Sequence, residues 1–375
     1  MHVLADENIP LVREAFAAFG TVETRPGRAM TPEAVRGADV LLVRSVTRVD
    51  EALLGTSAVR FVGTATIGTD HLDVGALRRR GIAVASAPGS NAESVVEWVL
   101  AALLRTAAAR GEALAGRTVG VVGVGQVGGR LAPRLEALGM TVLRCDPPRA
   151  EAEGTGHGAT AFVPLAQVLD ASDIVTLHTP LTVGGAHPTA HLVGARELAR
   201  LRPGAWLVNA SRGAVVDGAA LLAALRSGHL GAALLDVFEH EPAPDPALVA
   251  AATLATPHIA GYSFDGKLNG ARRLFEALAE WSGQAAAFDW DAAYALTPED
   301  ERPALDAPAS GMDAVAETAA LDARVRRLYD IAADDARFRA TLALSTEADR
   351  AEAFARLRKT YPRRRAWGHY GAGVP

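Results

Sequence analysis

Val119-Gly120-Val121-Val122-Gly123-Val124-Gly125-Gln126-Val127-Gly128 is the stretch that decides the fold. An apolar run meets a glycine-rich turn, and residues 130–138 continue at helical spacing. In Gly-x-Gly-x-x-Gly the first glycine permits the tight turn. The second lets a pyrophosphate approach the backbone, and the third allows close helix–strand packing. Amides opening the helix then face the phosphates. An acid, Asp146, ends the next apolar run. A carboxylate there accepts hydrogen bonds from ribose hydroxyls and repels a 2′-phosphate, so the expected cofactor is NAD rather than NADP. Gly123, Gly125, Gly128 and Asp146 are its first candidate contacts.

Outward from this unit, short apolar runs at 40–44, 61–64, 82–85, 142–145, 174–178, 206–209 and 233–237 alternate with Ala/Leu-rich helical patterns. That alternation indicates parallel α/β sheets. Residues 92–113 form a long helical run that lacks glycine until Gly111, and it serves as the crossover between two α/β halves. The expected architecture is α/β: two doubly wound domains, one flavodoxin-like and one Rossmann. A small C-terminal α+β domain follows. The boundaries read as 1–92 with 258–285, then 93–257, then 286–375. Residues 297–313 are polar and proline-rich and read as a linker. Beyond them Leu321, Val325, Leu328 and Ile331 recur at helical spacing, as do Phe354, Leu357 and Tyr361, and stripes on so small a segment need a partner surface.

At 375 residues two or three domains are expected, and 49% hydrophobic with 22% charged residues is ordinary for a globular protein. A formal net charge of −5 gives no general electrostatic case for nucleic acid or membrane binding. The single cysteine, Cys145, excludes an intrachain disulfide and suits a reducing compartment. Acids at Asp6 and Glu7 stand where a secretory signal needs basic residues, and no apolar run is long enough to span a bilayer. A cytoplasmic location is expected.

Three separated residues carry the chemistry: Arg212 in Asn209-Ala210-Ser211-Arg212-Gly213, Glu241 in Glu239-His240-Glu241-Pro242, and His258 in Thr256-Pro257-His258-Ile259-Ala260-Gly261. Removing a hydride from a 2-hydroxy acid needs a cation to hold the carboxylate. It also needs an imidazole to take the hydroxyl proton, and a carboxylate to orient that imidazole. Arg212 follows an apolar strand, at the sheet edge where ligands bind, and its planar fork suits a carboxylate. Glu239 and Glu241 are both candidate partners for His258, and spacing does not choose between them. Asp236 ends the preceding strand, placed to meet the nicotinamide carboxamide. No metal is expected: His71 has no second ligand at zinc spacing, and Pro188 interrupts the pair His187 and His191. The run Arg363-Arg364-Arg365, beside Tyr361 and Trp367, reads as an interface or a solvated face.

These residues resemble the D-isomer-specific 2-hydroxyacid dehydrogenases. The likeness extends through Ala5-Asp6-Glu7-Asn8-Ile9-Pro10, Val43-Arg44-Ser45-Val46-Thr47, Gly63-Thr64-Ala65-Thr66-Ile67-Gly68-Thr69-Asp70-His71 and Asp146-Pro147-Pro148-Arg149. It continues in His178-Thr179-Pro180-Leu181, His258-Ile259-Ala260-Gly261-Tyr262-Ser263, Asp265-Gly266-Lys267 and the stretch from Leu357 to Arg365, nearly the whole chain. The resemblance implies Arg212, Glu241 and His258 as the catalytic set, with Glu241 chosen over Glu239. It implies NAD contacts from Gln126, Val127, Asp146, Thr179, Ala210, Ser211, Asp236 and Gly261. Ser45, Thr66 and Tyr262 would meet a phosphorylated 2-hydroxy acid, and the C-terminal segment would form a homodimer. Arg44 is the expected phosphate ligand, with Lys267 a weaker candidate. Ser90 and Gly218 depart from the family pattern, where cysteine and asparagine are expected. Two alternatives stay open: another member of the class, such as one acting on 3-phosphoglycerate, and a non-catalytic NAD-sensing module.

Overall fold

The computed structural model describes residues 1–154, 161–298, 300 and 311–370. It separates into two compact units. One comprises Met1–Glu93 with Tyr262–Asp300, and the other Ser94–Gly261 with the C-terminal segment.

The first unit holds a parallel sheet of β1 (His2–Asp6), β2 (Thr21–Arg25), β3 (Val40–Val43), β4 (Phe61–Thr64) and β5 (Ala83–Ala85) in the order β2-β1-β3-β4-β5. This is the flavodoxin-like order. Strands β3 and β4 are buried on both faces, which is why they read as unbroken apolar runs rather than alternating ones. The helix Phe264–Ser282 returns to this sheet and buries Leu268, Leu274 and Leu278. The unit extends beyond the expected limit of 285. Trp290 is buried and packs edge-on to Phe275 at 5.8 Å, so its short helix, Trp290–Tyr294, belongs to this core and not to the C-terminal segment.

The second unit holds β6 (Thr118–Val122), β7 (Thr141–Cys145), β8 (Ile174–Leu177), β9 (Trp206–Asn209), β10 (Ala232–Leu235) and β11 (Leu254–Ala255), all parallel, in the order β11-β10-β9-β8-β6-β7. A single parallel bridge between Arg144 and Phe162 adds a vestigial strand outside β7. With it the order is that of a Rossmann sheet, whose direction of winding reverses between β6 and β8. The helix Ala92–Arg110 carries Trp98, Leu100, Leu103 and Leu104, all fully buried. An apolar surface on every side suits a helix enclosed by its unit.

In place of the expected α+β domain, the described C-terminal residues form helices and no strand, and the helices Ala314–Leu328, Ile331–Ala340 and Glu347–Lys359 do not stand apart. Phe338 and Phe354 join the core of the second unit, and Phe338 lies 5.7 Å from Phe238 and 5.6 Å from Phe354. The apolar stripes expected to need a partner surface therefore find much of it within their own chain. The linker at 297–313 and the tail 368–375 fall largely or partly outside the described residues, although Trp367–Tyr370 forms a short turn.

Candidate active site

At the end of β6, Gly123 turns at φ +86°, and a Cβ there would lie 2.7 Å from the His178 carbonyl carbon. Gly128 opens the helix Gly128–Ala137, pressed so closely on the Gly123 carbonyl that no side chain fits. Gly125 differs, because a Cβ there would meet nothing within 4 Å. No side chain caps the helix. Open space above a glycine, facing uncapped amides, is the cradle a pyrophosphate fills. Gln126 and Val127 sit at this mouth, with Gln126 exposed. Across the winding reversal, the buried Thr179 hydroxyl finds no hydrogen-bond partner among the described residues, a donor a bound nucleotide could satisfy. The residues present fit NAD. Asp146 accepts hydrogen bonds from the amides of Val124 (2.8 Å) and Arg149 (3.2 Å), so it also ties the glycine turn to the next helix.

Beyond β9, Asn209 organises the loop that carries Arg212. Its amide nitrogen donates to the Arg212 carbonyl at 3.0 Å, and its oxygen accepts from the Ser211 amide at 3.1 Å and hydroxyl at 2.8 Å. Ala210 is half-buried beside it and Ser211 is buried. A Cβ on Gly213 would overlap the Phe238 backbone, so this loop lies directly on the one bearing Glu241. Arg212 is half-buried, and one guanidinium nitrogen donates to the Ser211 carbonyl at 2.9 Å.

His258 Nδ1 and Glu241 Oε2 are 2.6 Å apart, and Glu241 Oε1 accepts from the Phe238 amide at 2.9 Å. Glu239 is engaged elsewhere, with His191 at 2.7 Å and the Gly218 amide at 2.8 Å. The choice spacing left open is thus made by the turn at 238–241. Burial works against the Glu241 charge, but His258, the Phe238 amide and Arg358 outweigh it and hold the carboxyl below its ordinary range. His258 itself sits at φ +57°, a left-handed conformation uncommon for histidine, of the kind that neighbouring contacts must maintain.

Those contacts converge on Asp236. Its carboxylate is 1% exposed and accepts from the Thr256 hydroxyl at 2.6 Å and the amides of Ile259 at 2.8 Å and Ala260 at 2.9 Å. Its carbonyl accepts from the His258 amide at 2.7 Å. The residue expected at the nicotinamide also clamps the histidine loop. Thr256 in turn accepts from Trp98 Nε1 at 3.0 Å. Sequence reasoning missed Asn209, Trp98 and Thr256. Only the position of Thr256, two residues ahead of His258, offered a signal. Gly261 ends this loop.

In the first unit, Arg44 follows β3 and its Nε donates to the buried Asp6 carboxylate at the end of β1, 3.1 Å away. Asp6 also accepts from the Asn8 amide at 2.8 Å. Lys267 stands 5.0 Å over the Tyr262 ring, and among the described residues its ammonium makes no ion pair. Burial and the neighbouring Arg44 both push its pKa down. Two cations near enough to repel, with an acid paired to Arg44 alone, suit an anion. Ser45 is exposed beside Arg44. The Thr66 hydroxyl lies 2.7 Å from that of Thr64, which is 2.9 Å from His71 Nε2.

In the arginine run 363–365 only Arg363 is exposed. Arg364 and Arg365 are 7% and 2% exposed, so neither forms a solvated face. Arg364 pairs with Glu97 of its own chain at 2.6 Å.

Residues 91–260 match the NAD binding domain of the D-isomer specific 2-hydroxyacid dehydrogenases, and residues 303–371 a domain of unknown function. The chain is 54% identical to an erythronate-4-phosphate dehydrogenase of Salinibacter ruber, covering 100% of this chain and 95% of that one. It is 53% identical to the erythronate-4-phosphate dehydrogenase of Azotobacter vinelandii, over 97% and 93% of the two chains. Among solved structures, a protein of Thermus thermophilus superposes with a TM-score of 0.65 at 31% identity, covering 76% of this chain and 98% of its own. A D-lactate dehydrogenase of Aquifex aeolicus, crystallised with NAD and lactic acid, shares the fold at 23% identity and a TM-score of 0.65, over 76% and 96%. The chain is an NAD-dependent oxidoreductase that belongs to the erythronate-4-phosphate dehydrogenase family of the D-isomer-specific 2-hydroxyacid dehydrogenases.

Proposed function

We propose that this protein oxidises 4-phospho-D-erythronate to 2-oxo-3-hydroxy-4-phosphobutanoate in pyridoxal 5′-phosphate biosynthesis. The observation that carries the reading is the His258–Glu241 pair at 2.6 Å, on the same sheet edge as Arg212 and the glycine turn. NAD, when bound, accepts the hydride from C2. Arg212 holds the substrate carboxylate through its guanidinium, and His258 Nε2 takes the 2-hydroxyl proton. Glu241 fixes the orientation of the imidazole through Nδ1, which leaves Nε2 for the proton.

Arg44, Ser45, Thr66 and Tyr262 are proposed as substrate contacts. Arg44 and Lys267 supply the charge for a dianionic phosphate, and Asp6 engages Arg44 through its Nε rather than through its terminal nitrogens. Gln126, Val127, Asp146, Thr179, Ala210, Ser211, Asp236 and Gly261 are proposed NAD contacts. A homodimer and a cytoplasmic location complete the reading. The first rests on the family resemblance. The second is supported by the single thiol of Cys145, and no helix among the described residues is long and apolar enough to cross a membrane.

The test is steady-state turnover with NAD on 4-phospho-D-erythronate, 3-phosphoglycerate and an unphosphorylated 2-hydroxy acid. The first should show the highest kcat/KM. Arg44→Ala should lower it on the phosphorylated acids by about 10- to 100-fold, as loss of a charge-assisted contact implies. The unphosphorylated acid should be little affected. Preference for 3-phosphoglycerate would reassign the substrate, and equal losses on all three acids would remove Arg44 from phosphate binding.

A further inference from the structure

Behind the histidine loop lies a buried ion pair that the hydride-transfer chemistry does not use. Glu97, fully buried on the helix Ala92–Arg110, accepts from Arg364 Nη1 at 2.6 Å and from the Trp367 amide at 2.6 Å. Arg364 lies 4.3 Å over the Tyr329 ring, and its Nη2 reaches the carbonyls of Ala260 at 3.4 Å and Ser94 at 3.5 Å. Burial opposes the charge on this guanidinium, but Glu97 outweighs it and keeps Arg364 protonated. Ala260 is therefore held on both sides of its residue: Asp236 takes its amide at 2.9 Å, and Arg364 approaches its carbonyl. The next residue on the helix, Trp98, donates to Thr256 at the other end of the loop. Between these anchors stands His258, in its left-handed conformation.

We propose that Arg364 and Glu97 are positioning residues for His258, and that the C-terminal segment holds the 256–260 loop of its own chain in the register proton transfer requires. This gives the segment a role in turnover besides any role in assembly, and it rests on the reading of His258 as the group that takes the hydroxyl proton. A planar fork on a fixed anchor suits the task, since one guanidinium reaches a carboxylate and backbone carbonyls at once. A lysine has a single nitrogen and keeps only part of that set.

Arg364→Ala and Glu97→Gln each leave one buried charge unpaired and are expected to unfold, so the informative variants are Arg364→Lys and Glu97→Asp, which keep both charges and change only their reach. With unchanged Tm and NAD affinity, each should lower kcat by about 10- to 100-fold with little change in KM, the scale set by small misplacements of reacting groups. The primary deuterium isotope effect on kcat, with substrate deuterated at C2, should rise as the chemical step becomes slower. A purely structural pair would leave kcat and the isotope effect alone in a folded variant, and wild-type values of both in either one overturn the proposal. If neither variant folds, the pair serves stability and the proposal also fails. His258→Ala separates the two readings: near-normal turnover in it removes the assignment of His258 itself, whereas an inactive His258→Ala beside a fully active Arg364→Lys removes only the positioning role.

Discussion

Burial pushes the Asp236 carboxyl up to about 6, and the nearby His258 with the donors from Thr256, Ala260 and Ile259 only partly offset it. A carboxyl whose folded pKa lies above its unfolded value near 3.9 binds its proton more tightly in the native state. Its contribution to stability is present below about 4 and is lost as pH rises through about 6. Asp236→Asn has no such titration. The stability of the wild type relative to this variant should therefore fall between pH 4 and 6 and stay level above, as followed by thermal unfolding across that range; a pH-independent difference would contradict the shift. Turnover should drop at every pH, because Ile259 and Ala260 donate to different oxygens of Asp236 and in the variant one of these becomes an NH2 group. Asp146 carries a second residue-scale prediction. Asp146→Ser keeps an oxygen to cap the helix Pro147–Glu153 while removing the charge, so the NAD-to-NADP ratio of kcat/KM should fall by roughly tenfold or more. An unmoved ratio would place the residue away from the ribose. Asp146 was legible because a strand end after a glycine turn has one known use. Asp236 was legible as a site residue but not as a clamp, since its partners at 256–260 are bound to it only through the fold.

At the scale of elements, apolar runs announced most strands, because a parallel strand buried on both faces must be apolar along its length. Strand β2 reads Thr-Val-Glu-Thr-Arg at the sheet edge and gave no such run, and β11 has only Leu254–Ala255. The Arg212 loop and the Glu241 loop are separated in sequence, and their stacking became visible only when β9 and β10 paired, Asn209 opposite Leu235. Gly213 marks the contact. Gly213→Ala must push the loop away from Phe238 and displace Arg212. We expect kcat/KM to fall by about 100-fold, the loss typical of a misplaced binding group, with NAD affinity less affected. Wild-type kinetics in that variant would show that the two loops yield without moving Arg212.

Across the whole molecule, the C-terminal segment is where sequence and structure differ most. Of the stripes that read as needing a partner surface, Val325, Ile331 and Phe354 are buried within the chain, while Leu321, Leu328 and Leu357 are only partly covered. Phe338 bridges Phe238, three residues before Glu241, and Phe354. Phe338→Ala should destabilise the protein by about 3–5 kcal/mol, as expected for a large ring removed from a packed core. Denaturant unfolding would show this, with sedimentation confirming an unchanged oligomeric state; near-wild-type stability would mean that the C-terminal helices only rest on the NAD unit. By itself the sequence determined the parallel α/β class, the dinucleotide turn and the residue types proposed here for proton transfer. These depend on local rules: strand periodicity, the geometry glycine permits, and which side chains bind anions or accept protons. The tertiary structure decided which glutamate meets His258, what holds that histidine in a left-handed conformation, and where the C-terminal helices bury their apolar faces. Each of these joins residues distant in sequence, and pairing across such separations is set by packing and chain topology, which no local pattern encodes.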